Sequence, residues 1–370
     1  MSTVLSETSA TAAAALAALH PSSRKPGDYR LIGGAGSHAE AAGLVNASWY
    51  QCPVARADLK ALMQRDDAHA LRDTALWYGL IVLAAACFIY GWRSDAGPMA
   101  LALAYFAFAT LYSSPADSRW HECSHGTAFK TRWMNDVLYQ LASFQLVRRP
   151  TRWRWSHARH HTDTLVTGRD PEFNVTLPPS FFTLLLNLFA LKNVPRDLLT
   201  TVRNAAGDIS AEEKTYIPEM EWHKLVRTAR IWLLVYALVL VSAVVVHSVV
   251  PLLLVGPVPS MAGAWLQHLL GLTQHAALPE NVLDHRRNSR TILMGPVLRF
   301  LYWNMNFHVE HHMFPLVPYH ALPRLHALIQ KDCPPPYNST AQALAEIIPA
   351  VWRQRRDPAF SVTRPIPTNP

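Results

Sequence analysis

The sequence predicts an all-α integral membrane protein with four transmembrane helices, and three observations carry that reading. Half of the 370 residues are hydrophobic and only 16% are charged, against roughly 25% in ordinary soluble chains. The charges are absent from long stretches, the longest being 49 residues between Arg230 and Glu280. Mean hydropathy is only +0.05, too low for membrane spans alone, so a water-facing part must accompany them. The 12 Trp, 13 Phe and 12 Tyr exclude a disordered chain. Four scattered cysteines with no C-x-x-C pair exclude a disulfide scaffold.

A helix needs about 20 apolar residues to cross the hydrocarbon core. The charge-free runs supply four such segments, at about 74–92, 97–116, 231–250 and 252–272, with Pro251, Gly256 and Pro257 marking the break between the last two. Residues 173–191 are also charge-free, but Pro178 and Pro179 leave only about a dozen apolar residues, too few for a span. That segment, and the shorter 137–147, are assigned to the membrane surface. The spans divide the chain into an N-terminal region 1–73, partly disordered, a four-span domain 74–333, and a Pro-rich tail 334–370.

Of the 34 lysines and arginines, only Arg93 falls in the first hairpin; all the others lie on one side of the predicted spans. The positive-inside rule makes that side the cytoplasm of a multi-pass protein of the cell (inner) membrane. The net charge of +8 then records orientation and attraction to anionic lipid. No reader motif accompanies the basic residues, which argues against nucleic acid as a partner. The N-terminus carries Glu7 and lacks a basic n-region, so it does not read as a secretory signal.

Eight of the 18 histidines fall in three clusters: His121 and His125; His157, His160 and His161; His308, His311 and His312. On a helix, residues i, i+3 and i+4 share a face, so each cluster aims its imidazoles at one point. By composition, an H-x-x-H-H is expected roughly 0.04 times in a chain like this, and here there are two. Uncompensated imidazoles packed together would repel whenever protonated. A metal resolves this, since imidazole serves Zn, Cu, Fe and Ni alike. One ion accepts at most about six ligands, so eight converging imidazoles point to two ions. The predicted topology brings all three clusters to the same side, because two spans separate the second from the third.

His121-Glu-Cys-Ser-His125 also reads as H-E-x-x-H, the zinc-peptidase motif with Glu122 as general base. That alternative uses one further ligand and leaves six clustered histidines without a role. With two metals, Glu122 and Glu310 are expected to accept hydrogen bonds from ligand imidazoles instead, while Asp170 and Glu172 either orient the second cluster or start a turn at Pro171. A metal transporter would need ionisable residues within the spans; the charge-free runs offer only His247 and His268, with His275 near the end.

In order, spacing and topology, H-x-x-x-H, H-x-x-H-H and H-x-x-H-H between four spans resemble the membrane fatty-acid desaturase/hydroxylase superfamily. The resemblance covers about residues 74–333. It implies a four-helix membrane stem under a cytoplasmic helical cap, with a histidine-bound di-iron centre that uses O2 as co-substrate to oxidise unactivated C–H bonds. It makes the eight clustered histidines iron ligands. The stretch GLTQHAALPENVLDH resembles the family segment that supplies a ninth, which selects His275; His268, two turns earlier, is the runner-up, and His285 follows. The phrases WHECSHGTAFKTRW, WRWSHARHHTDTLVTGRDPEF and YWNMNFHVEHHMFPLVPYHALPRLH are closest to the bacterial fatty-acid desaturase-like or rhizopine-oxygenase-like branch. Fatty-acyl desaturation is the leading expectation. Hydroxylation, or oxidative N-demethylation of a small substrate, is the alternative.

Electrons must come from outside. There is no H-P-G-G haem motif, no G-x-G-x-x-G, and the cysteines are too dispersed for an iron–sulfur cluster. An acidic ferredoxin-type donor with its reductase is the expected partner, docking on Arg148, Arg149, Arg152 and Arg154 or on Arg286, Arg287 and Arg290. Trp120, Trp153, Trp155, Trp303 and Phe307 are read as core or interfacial residues before channel residues.

Overall fold

The computed structural model describes residues 2–21, 29–173 and 175–367. Part of the N-terminal region expected to be disordered, residues 22–28, and the last three residues of the tail lie outside these. Among the described residues the protein is helical, with no strand and only the isolated bridges Thr291–Phe307 and Ile292–Tyr337.

Three helices among the described residues are long and apolar enough to cross a membrane: Asp67–Arg93, Pro98–His125 and Glu219–Val245. Each starts or extends beyond the predicted charge-free run. The second has 28 residues, which at 1.5 Å per residue gives about 42 Å, some 12 Å more than the hydrocarbon thickness. Its last turns, with His121 and His125, therefore project past the apolar layer. Leu76, Leu80, Val82 and Leu83 on the first helix, and Ile231, Leu234, Leu238 and Val241 on the third, are exposed, as a lipid-facing surface requires.

Inside the bundle the sequence creates a local problem and solves it. Pro115 sits within the Pro98–His125 helix and has no N–H for the carbonyl of Leu111. The fully buried Trp77 of the first helix donates its Nε1–H to that carbonyl at 2.7 Å. Gln145, from the adjacent Arg132–Gln145 helix, donates to the carbonyl of Tyr112 at 3.1 Å.

The fourth expected span is not one helix. It is three short ones, Val250–Leu254, Pro257–Ala262 and Trp265–His275. Proline cannot donate at positions 251, 257 and 259, and Gly256 adopts φ +87°. The interrupted backbone groups find partners on the second helix: Tyr112 Oη accepts from the Gly256 N–H, while Ser113 and Ser114 donate to the carbonyls of Ser260 and Gly263. Broken backbone is tolerated at membrane depth when neighbouring side chains satisfy it in this way. Gly263 is required by contact: a Cβ there would lie 1.7 Å from the Ala109 carbonyl oxygen. The chain thus leaves the far end of the third long helix and ends this stretch at His275.

The two segments expected at the membrane surface contain short helices. Phe181–Leu188 exposes Phe182 and Leu185, and Arg132–Gln145 exposes Trp133, Val137 and Leu141. The region after 333, expected as a tail, contains the Thr340–Gln354 helix, which buries Ala343, Ile347, Ala350 and Val351 in a cluster with Ala276, Ala277 and Ile292.

Candidate metal centre

Four elements deliver the histidines. The last turns of Pro98–His125 carry His121 and His125; Pro150–Thr162, begun by a proline at its first turn, carries His157, His160 and His161; His308–Met313 carries His308, His311 and His312; and Trp265–His275 ends on His275. Arg119, fully buried two residues before His121, donates to the Phe300 and Leu301 carbonyls. It thereby ties the first cluster to the segment leading into the third.

All nine histidines meet, in two groups. His121, His125, His157, His161 and His311 form one; His160, His275, His308 and His312 form the other; within each group the ligand atoms lie within 4.8 Å of one another. The Nε2 of His157 is 3.1 Å from the Nε2 atoms of His121, His125 and His161. Those of His311 and His161 are 3.2 Å apart, and His308 Nε2 is 3.0 Å from both His275 and His312.

Hydrogen bonding cannot account for this, because one nitrogen carries at most one proton and cannot serve three neighbours at once. Lone pairs that converge on one space need a cation between them. Nitrogens about 3 Å apart around a common centre stand about 2.1 Å from it, the reach of a metal–imidazole bond. The donor set fits a metal.

The outward nitrogens explain how the rings are aimed. Asp170 accepts from His160 Nδ1 at 2.9 Å, and Glu172 from His157 Nδ1 at 3.1 Å and from Ser156. The Asn288 carbonyl accepts from His275 Nδ1 at 2.7 Å, and Thr164 Oγ1 lies 3.3 Å from His312 Nδ1. Each such contact places the proton on Nδ1 and leaves the Nε2 lone pair facing inward. Of the two roles open to the G-R-D-P-E-F carboxylates, orienting the second cluster is the one seen.

Burial and neighbouring imidazoles push His161, His308, His311 and His312 well below the ordinary imidazole range. They stand neutral, the form that binds metal. For His160 burial acts in the same direction, but the Asp170 carboxylate outweighs it and the value rises. Burial alone would raise Glu172, yet His157 beside it brings the carboxyl down to about 2.

Several expectations are corrected. Glu122 accepts from the Tyr319 N–H at 3.0 Å, and Glu310 is held by His326 Nδ1 and Thr291; neither accepts from a clustered imidazole, because helical geometry turns residue 122 and residue 310 away from their histidine neighbours. His268 hydrogen-bonds through Nδ1 to the Ala264 carbonyl one turn back and joins neither group. His285, given the least weight, is buried with its ring 5.0 Å from that of His312 and stacked on Trp49. Most of the arginines proposed for donor docking face inward. Arg149 is buried against Glu213 and Asn204, Arg148 pairs with Asp117, Arg286 with Asp284 and Asp332, and Arg290 is fully buried; only Arg154 and Arg287 of the seven are exposed. Trp120, Trp303 and Phe307 are core residues, and Trp153 packs against that core.

The contacts from Asn288 and Thr164 had no signal in the sequence, since a backbone carbonyl has no residue identity and threonine is a common residue. A family model described as Fatty acid desaturase matches residues 96–342, a stretch that contains all nine histidines.

Proposed function

The chain belongs to the fatty acid desaturase family, a membrane oxidoreductase with a histidine-rich metal site, and on that premise we propose that it oxidises an unactivated C–H bond of a lipid substrate at a di-iron centre with O2 as co-substrate. The observation that supports this reading most directly is the division of nine imidazoles into groups of five and four. His121, His125, His157, His161 and His311 would hold one iron; His160, His275, His308 and His312 would hold the other. Iron bound there supplies the O2-dependent oxidation that no side chain can perform.

The chain's own residues bind, orient and shield. Asp170, Glu172 and the Asn288 carbonyl keep the rings of His160, His157 and His275 turned inward. Trp120, Tyr302, Trp303 and Phe307 pack the core around the histidine end and keep water out. Electrons come from a separate carrier, for which a ferredoxin-type protein with its reductase is the proposed donor. The broken segment 250–275 is proposed as the fourth crossing, with the histidine end in the cytoplasm and the protein in the inner membrane.

Fatty-acyl desaturation is the proposed reaction, with hydroxylation or N-demethylation as the second reading. Product analysis after incubation with donor, O2 and acyl lipid separates them: a new double bond supports desaturation, a new hydroxyl supports hydroxylation, and released formaldehyde from an N-methyl substrate supports demethylation. Peptide hydrolysis with tightly bound zinc would overturn all three.

A further inference from the structure

Away from the histidines, a groove of about 540 Å³ opens where the Asp67–Arg93 helix begins. Its cationic and imidazole residues are Arg65, Arg72, Arg324, His69 and His320, and its acids are Asp66 and Asp73. The acids are already engaged. Asp66 accepts from the Ala68 N–H and from His69 Nδ1, while Asp73 pairs with Arg72 at 2.8 Å and accepts from Tyr319 Oη at 2.8 Å.

Arg65 and Arg324 are left over. Both are exposed, and no carboxylate among the described residues pairs with either. His320 stacks on His69 with ring centroids 5.4 Å apart, and its Nε2 is buried without a hydrogen-bond partner. Two guanidinium groups around one space, neither in an ion pair with a carboxylate among the described residues, are short of negative charge. Guanidinium forks match phosphate oxygens two at a time, and the volume is that of a small-ligand site.

We propose that this groove binds a phosphate group carried by an anionic ligand, either a membrane phospholipid headgroup or a soluble phosphoester. Arg65 and Arg324 supply the charge. The same helix continues from the groove into an exposed apolar strip of Leu76, Leu80 and Leu83, which share the face of His69, Arg72 and Asp73, a path suited to the acyl chain of a lipid whose phosphate sits above. Tyr319, which lines the groove, donates its N–H to Glu122. The proposal does not rest on the identity of the metal.

The test uses the full-length protein in a neutral detergent, with dioctanoyl phosphatidic acid, dioctanoyl phosphatidylcholine and inorganic pyrophosphate as probes, read by thermal shift and by equilibrium binding. Phosphatidic acid should raise the melting temperature and phosphatidylcholine should not. The R65Q/R324Q double variant should melt like the parent without ligand and bind phosphatidic acid at least tenfold more weakly, with part of the loss recovered in R65K/R324K. Pyrophosphate binding as tight as the lipid assigns the groove to soluble phosphoesters; lipid binding alone assigns it to the membrane. The proposal is overturned if neither anion binds better than phosphatidylcholine, or if the double variant binds like the parent.

Discussion

A histidine becomes a useful ligand when something decides which nitrogen carries the proton, and here carboxylates and a carbonyl decide it. Asp170 does so for His160 from within a buried turn, where it also accepts the Leu165 N–H. Outer partners of this kind are worth about 10–100-fold in metal affinity, so Asp170→Ala should weaken iron retention by that factor in a chelator-competition titration while the helices stay intact by circular dichroism. Glu122→Gln is the contrasting case. Glu122 bonds to a backbone N–H and not to an imidazole, so the variant should keep its iron; loss of metal there would restore the expectation that Glu122 orients a ligand. Eight of the nine histidines were readable because i, i+3, i+4 spacing is a property of any helix; His275 has no such neighbour and was reached only through the family resemblance of its segment. Glu122 and Glu310 were misplaced for the same reason: sequence adjacency to a ligand puts a residue on a different face. The position of Asn288 was unreadable, since it acts through its main chain.

Among the elements, the second long helix organises the rest. Its proline leaves a carbonyl open to Trp77, and its middle turns supply the hydroxyls that satisfy the broken segment 250–275. Trp77→Phe keeps the ring but removes the donor, leaving the Leu111 carbonyl unsatisfied in a buried place, a loss of about 1–3 kcal/mol. A drop in melting temperature of the purified protein is the expected result, and an unchanged transition would show that Leu111 finds another partner. The three long helices could be read from charge-free runs because a bilayer sets both length and polarity. The fourth run met the same composition test, yet its prolines at 251, 257 and 259 and glycines at 256 and 263 dictate a broken path. Composition averages over a segment, whereas the break depends on where Tyr112, Ser113 and Ser114 stand on another helix. The Thr340–Gln354 helix was hidden behind a Pro-rich end for a similar reason, as its buried face is completed only by Ala276, Ala277 and Ile292.

For the whole molecule, low charge and a concentration of histidine are two views of one division of labour. Exposed apolar faces meet lipid, and at one end of the long helices nine imidazoles converge in groups of five and four. The excess of positive charge is not simply a docking surface: Arg119, Arg149 and Arg290 are internal fasteners. The claim that organises everything else is that the two histidine groups hold two irons. Metal analysis of the purified protein, expressed with iron supplied, tests it most directly. About two irons per chain should be found, falling in His157→Ala and in His308→Ala, one variant for each group. A parent protein that binds zinc in place of iron, or that keeps its full iron content in both variants, would contradict it.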